Sequence, residues 1–166
     1  MRILFICLGN ICRSSAAEEI LRQKLIDSGL SERVKVDSAG LINYHEGELP
    51  DERMRHHAKK RGYILTHRSR PLRTSDFYDF DLILGMDDAN IKRLLSRAPS
   101  EAERSKVKRT TDFNLQQPPR EVPDPYYGGS DGFELVLDLL EDACDGIINF
   151  IRDTLQAPNK HTTDIL

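Results

Sequence analysis

The chain opens on a short apolar run, Ile3-Leu-Phe-Ile6, with no polar position inside it. A continuous run of this length fits a strand buried on both faces, as in a parallel sheet. From Ser14 to Ser28 the period changes. Ala16, Ala17, Ile20, Leu21, Leu25 and Ile26 recur at helical spacing, and Gly29 is a stop signal. Val34-Lys-Val-Asp-Ser38 alternates as a strand does, and Leu82-Ile-Leu84 is a third strand-like run. Residues 40–50 carry Gly40, Gly47 and Pro50 and predict a loop, after which Asp51 to Arg61 predicts a helix closed by Gly62. Asp87 or Asp88 is placed to cap a helix running to about Arg97. Ser100 to Lys106 predicts a short helix and Val107 to Thr110 a weak fourth strand. Residues 114–130, rich in Pro, Gln, Gly and Tyr, predict a long loop, of a length that is usually either functional or disordered. Ser130 or Asp131 then opens a long helix whose apolar face holds Phe133, Val136, Leu137, Leu140, Ile147, Ile148 and Ile151.

Strands that alternate with helices predict an α/β fold, a four-stranded parallel sheet with helices on both faces. A length of 166 residues fits one domain, read as residues 1–155, with 156–166 as a polar tail. A formal net charge of −3 argues against a general grip on nucleic acid. No apolar stretch approaches membrane-spanning length, and the apolar residues after Met1-Arg2 are too few for a secretory core. Three cysteines without metal-type spacing argue against a disulfide framework and make the cytoplasm the expected compartment.

The chemistry begins where the first strand ends. Cys7-Leu-Gly-Asn-Ile-Cys-Arg13-Ser14 sets a cysteine and an arginine either side of five residues, between a strand and a helix. Such a loop can turn its backbone N–H groups inward around an anion, and the helix adds the positive end of its dipole. The same field favours a thiolate over a thiol. Arg13 supplies a planar fork that matches two phosphate oxygens. Nucleophile, oxyanion cradle and clamp together describe a phosphoryl-transfer site. In open α/β sheets, ligands sit beyond the carboxyl ends of the strands, which is where this loop falls. The bland alternative is an inert core cysteine followed by a solvated arginine.

Phosphoryl transfer from an ester also needs a proton donor for the leaving oxygen. Asp124 is the candidate, stiffened between Pro123 and Pro125. Near a thiolate and a bound phosphate, a carboxyl group is pushed toward its neutral, donating form. Tyr126 and Tyr127 supply flat apolar faces suited to an aromatic ring.

Cys7–Ser14 and Asp124-Pro-Tyr-Tyr-Gly128 resemble the two signature segments of the low-molecular-weight protein tyrosine phosphatases. The similarity runs from Arg2 to about Thr154. It implies the fold expected above and hydrolysis of phosphotyrosine, and of small aryl phosphates, through a cysteinyl phosphate. In that reading Cys7 is the nucleophile, Arg13 and the amides of Leu8, Gly9, Asn10, Ile11 and Cys12 hold the phosphate, and Asp124 is acid and then base. Ser14 hydrogen-bonds the sulfur. Asp37-Ser38-Ala39 and His67 also match, so Asn10, Ser38 and His67 are expected to brace the loop. Pro50-Asp-Glu-Arg53 and Met86-Asp87 match further segments. Tyr44 is expected as one wall of the substrate slot. Cys12 is expected as a reversible disulfide partner of Cys7. No cofactor and no metal is implied. The expected partners are tyrosine-phosphorylated proteins and a tyrosine kinase, and the expected state is a monomer. One departure stands out: the family usually has proline where this chain has Ser15, which predicts a less rigid first turn.

Two rival functions remain. Thioredoxin-coupled arsenate reductases share fold and loop but need two further cysteines close together beyond the third strand, where this chain has none. A phosphotyrosine-binding module without chemistry would not need Cys7, Arg13 and Asp124 together. Cys144 is expected in the core and His56-His57 on a solvated helix face. Lys59-Lys60-Arg61 with Arg68, Arg70 and Arg73 is either a steering patch for anions or ordinary surface.

Overall fold

The computed structural model describes residues 1–117 and 119–157. The extent of the polar tail expected from 156 therefore falls almost wholly outside the described residues. The sheet holds β1 (Arg2–Cys7), β2 (Lys35–Gly40), β3 (Leu82–Gly85) and β4 (Val107–Arg109), all parallel, in the order β2-β1-β3-β4. The register pairs Cys7 with Gly40 and Ile6 with Gly85, so the central strand ends level with its neighbours. The helices are α1 (Arg13–Asp27), α2 (Glu52–Lys60), α3 (Thr74–Asp79), α4 (Asp88–Arg97), α5 (Glu101–Arg104) and α6 (Ser130–Gln156).

Strand alternation divides the core into two. Ile3 and Phe5 face α1 and α6, joining Ile20, Leu21, Leu137, Leu140 and Ile147 in one cluster. Leu4 and Ile6 point the other way, into a smaller cluster with Phe77, Phe80 and Leu94 from the α3–α4 side. Four successive fully buried residues, Ile3 to Ile6, are thus shared between two layers. Each buried Leu, Ile or Phe contributes about 1.5–3 kcal/mol relative to exposure, and this fixes β1 under the loop that follows it.

The expected elements are present, with ends shifted by a few residues. Asp51 caps α2, its carboxylate accepting from the backbone N–H groups of Arg53 and Met54. Asp87, not Asp88, caps α4, accepting from Asn90 N–H at 2.7 Å. Gly29 and Gly62 adopt φ of 70° and 88°, conformations that glycine enters without strain. α3 is an element that the hydrophobic pattern does not predict. Two expectations about surface residues are corrected. His57 is buried, stacked on Phe133 at 5.6 Å and bonded through Nδ1 to Glu134 at 2.6 Å, so it pins α2 to α6. Arg70 is half-buried between Asp37 and Asp76, at 3.0 and 2.9 Å, and is not free to steer ligands.

Candidate active site

The loop after β1 is held in shape mainly by one side chain. Asn10 is fully buried and has φ of 58°, a left-handed backbone that asparagine tolerates better than most residues. Its Nδ2 donates to Ser14 Oγ at 2.8 Å and to Ser38 Oγ at 2.9 Å. Its Oδ1 faces His67 Nε2 at 2.9 Å and accepts from the Arg70 N–H at 3.1 Å. The structure thus brings together Asn10, Ser38 and His67, three positions far apart in sequence. Gly40 permits the close stacking of β2 under the loop, because a Cβ there would lie 3.0 Å from Leu8 O and 3.1 Å from Gly9 C.

Cys7 Sγ sits at the centre of the loop. Ser14 Oγ lies 3.0 Å from it, and the Asn10 N–H donates to it at 3.3 Å. The site opens as a cleft of about 340 Å³. Cys7, Leu8, Gly9, Ile11, Cys12 and Arg13 form its floor, Ile42, Tyr44 and His45 one side, and Asp124, Tyr126 and Tyr127 the other. Tyr44 and Tyr127 line the cleft but are 84% and 92% exposed, so they flank its mouth and leave it open.

Arg13 is 2% exposed, which excludes the solvated first-turn alternative. Its Nη1 donates to Asp87 Oδ2 at 2.7 Å and to the Val122 carbonyl at 3.0 Å, and its Nη2 lies 3.5 Å from Asp124 Oδ2. Burial works against the cation, but Cys7, Asp87 and Asp124 outweigh it and hold the guanidinium above its ordinary value. Asp87 therefore does two jobs, capping α4 and orienting Arg13. Spacing predicts the first and gives no hint of the second. Asp124 is 38% exposed at its side chain, and its Oδ1 accepts from the Tyr126 N–H at 3.0 Å. Ser15 donates to the Cys12 carbonyl at 3.2 Å, which gives the first turn of α1 a side-chain tie where family members usually carry proline.

Cys12 is 4% exposed. Burial, then Asp51 and Cys7, push its thiol far up, so it stays protonated. All three cysteines are free, and Cys144 lies in the core against Ala17 as expected.

Behind the loop, Glu18, Asp37 and His67 bring one ligating atom each within 4.8 Å of one another. None of them lines the cleft. Burial first, and then the hydrogen bond and charge of Asp37, push the Glu18 carboxyl up to about 9. Burial opposes ionisation of Asp37 as well, but Glu18, Arg70 and the Ser38 N–H together hold it low. Burial also lowers His67, against the pull of Asp37. The cluster therefore carries its proton on Glu18 and its negative charge on Asp37. A raised carboxyl contributes stability that is whole below the ordinary glutamate value and is lost as pH rises through about 9. Glu18→Gln keeps the neutral form at every pH. The variant should hold its Tm relative to wild type better with each step toward pH 9, because groups elsewhere titrate alike in both proteins. Parallel Tm profiles for the two would contradict the protonated Glu18.

A parallel sheet thus ends its first strand in a loop that carries Cys7 and Arg13, and Asp124 lines the same cleft. A family model described as low molecular weight phosphotyrosine protein phosphatase matches residues 2–158. The chain belongs to that family. A crystal structure of a protein tyrosine phosphatase from Entamoeba histolytica with Hepes in the active site superposes with a TM-score of 0.90. It shares 46% identity over 93% of this chain and 99% of that one. A Synechocystis protein, named provisionally as a low molecular weight protein-tyrosine-phosphatase, is 49% identical over 155 residues, 93% of this chain and 99% of its own. The human low molecular weight phosphotyrosine protein phosphatase is 38% identical over 136 residues, 81% of this chain and 85% of its own.

Proposed function

We propose that this enzyme hydrolyses phosphotyrosine in proteins through a covalent phosphocysteine at Cys7. The observation that carries the reading is the meeting of Cys7, Arg13 and Asp124 in one cleft with apolar and aromatic sides. The Cys7 sulfur attacks phosphorus in line, and an S–P bond forms as the P–O bond to the ring breaks. Arg13 and the loop amides hold the equatorial oxygens and their developing charge. Asp124 delivers its proton to the departing phenolate oxygen. Water then attacks the phosphocysteine, gives a proton to Asp124 and releases inorganic phosphate with the sulfur again ionised. Ser14 hydrogen-bonds the sulfur as nucleophile and as leaving group. The arginine and the amides do the electrostatic work, so no metal enters any step.

The slot suits a flat ring. Ile11, Tyr44 and Tyr126 line the same cleft as Cys7 and offer apolar surface to an aryl ring. The assay is release of phosphate from phosphotyrosine and phosphoserine peptides, with and without a chelator. The expected result is turnover of the first, little of the second and no effect of the chelator. Activity dependent on thioredoxin and arsenate would instead support the reductase, and tight binding without turnover the binding module. Tyrosine-phosphorylated proteins in the cytoplasm, action as a monomer and a tyrosine kinase as a further partner complete the reading. Among the described residues no helix is long and apolar enough to cross a membrane.

Cys12 is the proposed resolving thiol. It lies in the same loop as Cys7 and reaches the same cleft. Peroxide would convert the Cys7 thiolate to a sulfenic acid, and the Cys12 thiol would condense with it, releasing water and leaving a disulfide. Thiol reductant should then restore wild type after mild peroxide and fail to restore Cys12→Ser. Equal recovery of both would remove Cys12 from the redox account.

A further inference from the structure

The loop that carries Asp124 is fastened differently on its two sides. Upstream it is well tied to the body. Val122 N–H donates to Met86 O at 2.9 Å, Val122 O accepts from Arg13, and Glu121 accepts from the Asp88 N–H at 2.9 Å. Downstream, from Pro125 to Gly128, the only hydrogen bond to another element among the described residues comes from Arg53. Its Nη2 donates to the Tyr126 carbonyl at 2.9 Å.

Arg53 is itself held on three sides. It lies in the first turn of α2, and Asp51 receives its Nε at 3.1 Å and its Nη2 at 3.0 Å. The guanidinium lies over the rings of Tyr126 and Phe133, 5.4 and 4.9 Å from their centroids. The Asp51 N–H in turn donates to Ile11 O at 2.8 Å, within the phosphate loop. A continuous path therefore runs from Ile11 through Asp51 and Arg53 to the Tyr126 peptide. The N–H of the same residue, one peptide earlier, donates to Asp124 Oδ1 at 3.0 Å. Tyr126 is the junction: its carbonyl oxygen is gripped by Arg53 and its N–H grips the carboxyl group.

We propose that Arg53 is a positioning residue that fixes the Asp124 carboxyl against the phosphate loop by clamping the backbone of Tyr126 through its carbonyl. The inference rests on the reading of Asp124 as proton donor. Lysine cannot reproduce the clamp, because one planar fork must reach Asp51 twice and Tyr126 once while lying flat on two rings. Fold stability is a poor explanation for this arrangement, since the Arg53 side chain is 47% exposed and exposed ion pairs add little.

The test compares kcat/KM for a phosphotyrosine peptide and for dinitrophenyl phosphate in Arg53→Ala and Arg53→Met. Each change is also placed in an Asp124→Asn background. Methionine keeps an apolar stem over Phe133 and removes the donors, so it controls for packing. A small displacement of a catalytic group can cost up to ~10²-fold. We expect roughly a tenfold loss on phosphotyrosine and less than about twofold on the activated ester. In the Asp124→Asn background either Arg53 change should cost nothing further, because both remove one function. Equal losses on the two esters, or additive losses in the double variants, would overturn the clamp. So would unchanged kcat/KM in both Arg53 variants. If Asp124→Asn alone were blind to the leaving group, the donor assignment would fail first and take the clamp with it.

Discussion

Cys7→Ser should abolish turnover while the fold and the affinity for phosphotyrosine peptide persist. The serine oxygen fits where the sulfur sits, between Ser14 Oγ and the Asn10 N–H. The brace of Asn10 to Ser38 and His67 does not involve the sulfur, so the cradle keeps its shape. The hydroxyl, however, is a far poorer nucleophile at neutral pH than a thiolate, and in the first step Asp124 carries the proton for the leaving group and cannot serve as its base. Loss of a covalent nucleophile costs on the order of 10⁶-fold in well-studied hydrolases, and a loss on that scale is expected here. Turnover is read from phosphate release and binding from titration calorimetry with the peptide. Near wild-type turnover by the serine variant would refute the nucleophile assignment.

Asp124→Asn should make the rate depend steeply on the leaving group. With the acid in place the phenolate departs protonated, and its basicity matters little. Without it, tyrosine must leave with a full negative charge, whereas dinitrophenol leaves nearly unaided. General acid catalysis is worth ~10²–10⁴-fold, so kcat/KM for a phosphotyrosine peptide should fall by about that range and far less for the activated ester. The second step loses its base as well, so kcat should drop for both esters, and phosphocysteine should accumulate with the activated ester, whose first step stays fast. An equal fall in kcat/KM for good and poor leaving groups would mean that the loop of Asp124 only shapes the slot.

What was legible in the sequence was what is local. Ile3–Ile6 and the Cys7–Ser14 segment are contiguous, so strand, loop and helix could be read together with the chemistry they carry. α3 is not legible: at six residues it holds too few apolar positions to establish a period, Phe77 being the one buried apolar residue within it. The contacts that orient the catalytic groups were hidden for a different reason. Arg13 meets Asp87 across 74 positions and Val122 across 109, and such pairings follow from the strand order, not from spacing. The burial of His57 is hidden because the divergence of neighbouring helix positions bears on a shared ligand and not on packing against Phe133. Glu18 reads as one more polar residue of an amphipathic helix. Its carboxyl group becomes unusual only when β2 and the segment before Arg70 bring Asp37 and His67 to it. The resemblance reached Asn10, Ser38 and His67 by matched position, where periodicity could not.

The most direct test of the covalent route is to look for the phosphocysteine itself. Asp124→Asn enzyme mixed with dinitrophenyl phosphate and quenched rapidly should yield, on digestion and mass spectrometry, a phosphoryl group on Cys7. The same protocol on Cys7→Ser should give no phosphopeptide from this loop. A phosphoryl group on another residue, or full turnover with no phosphorylated protein at any quench time, would contradict a covalent mechanism through Cys7.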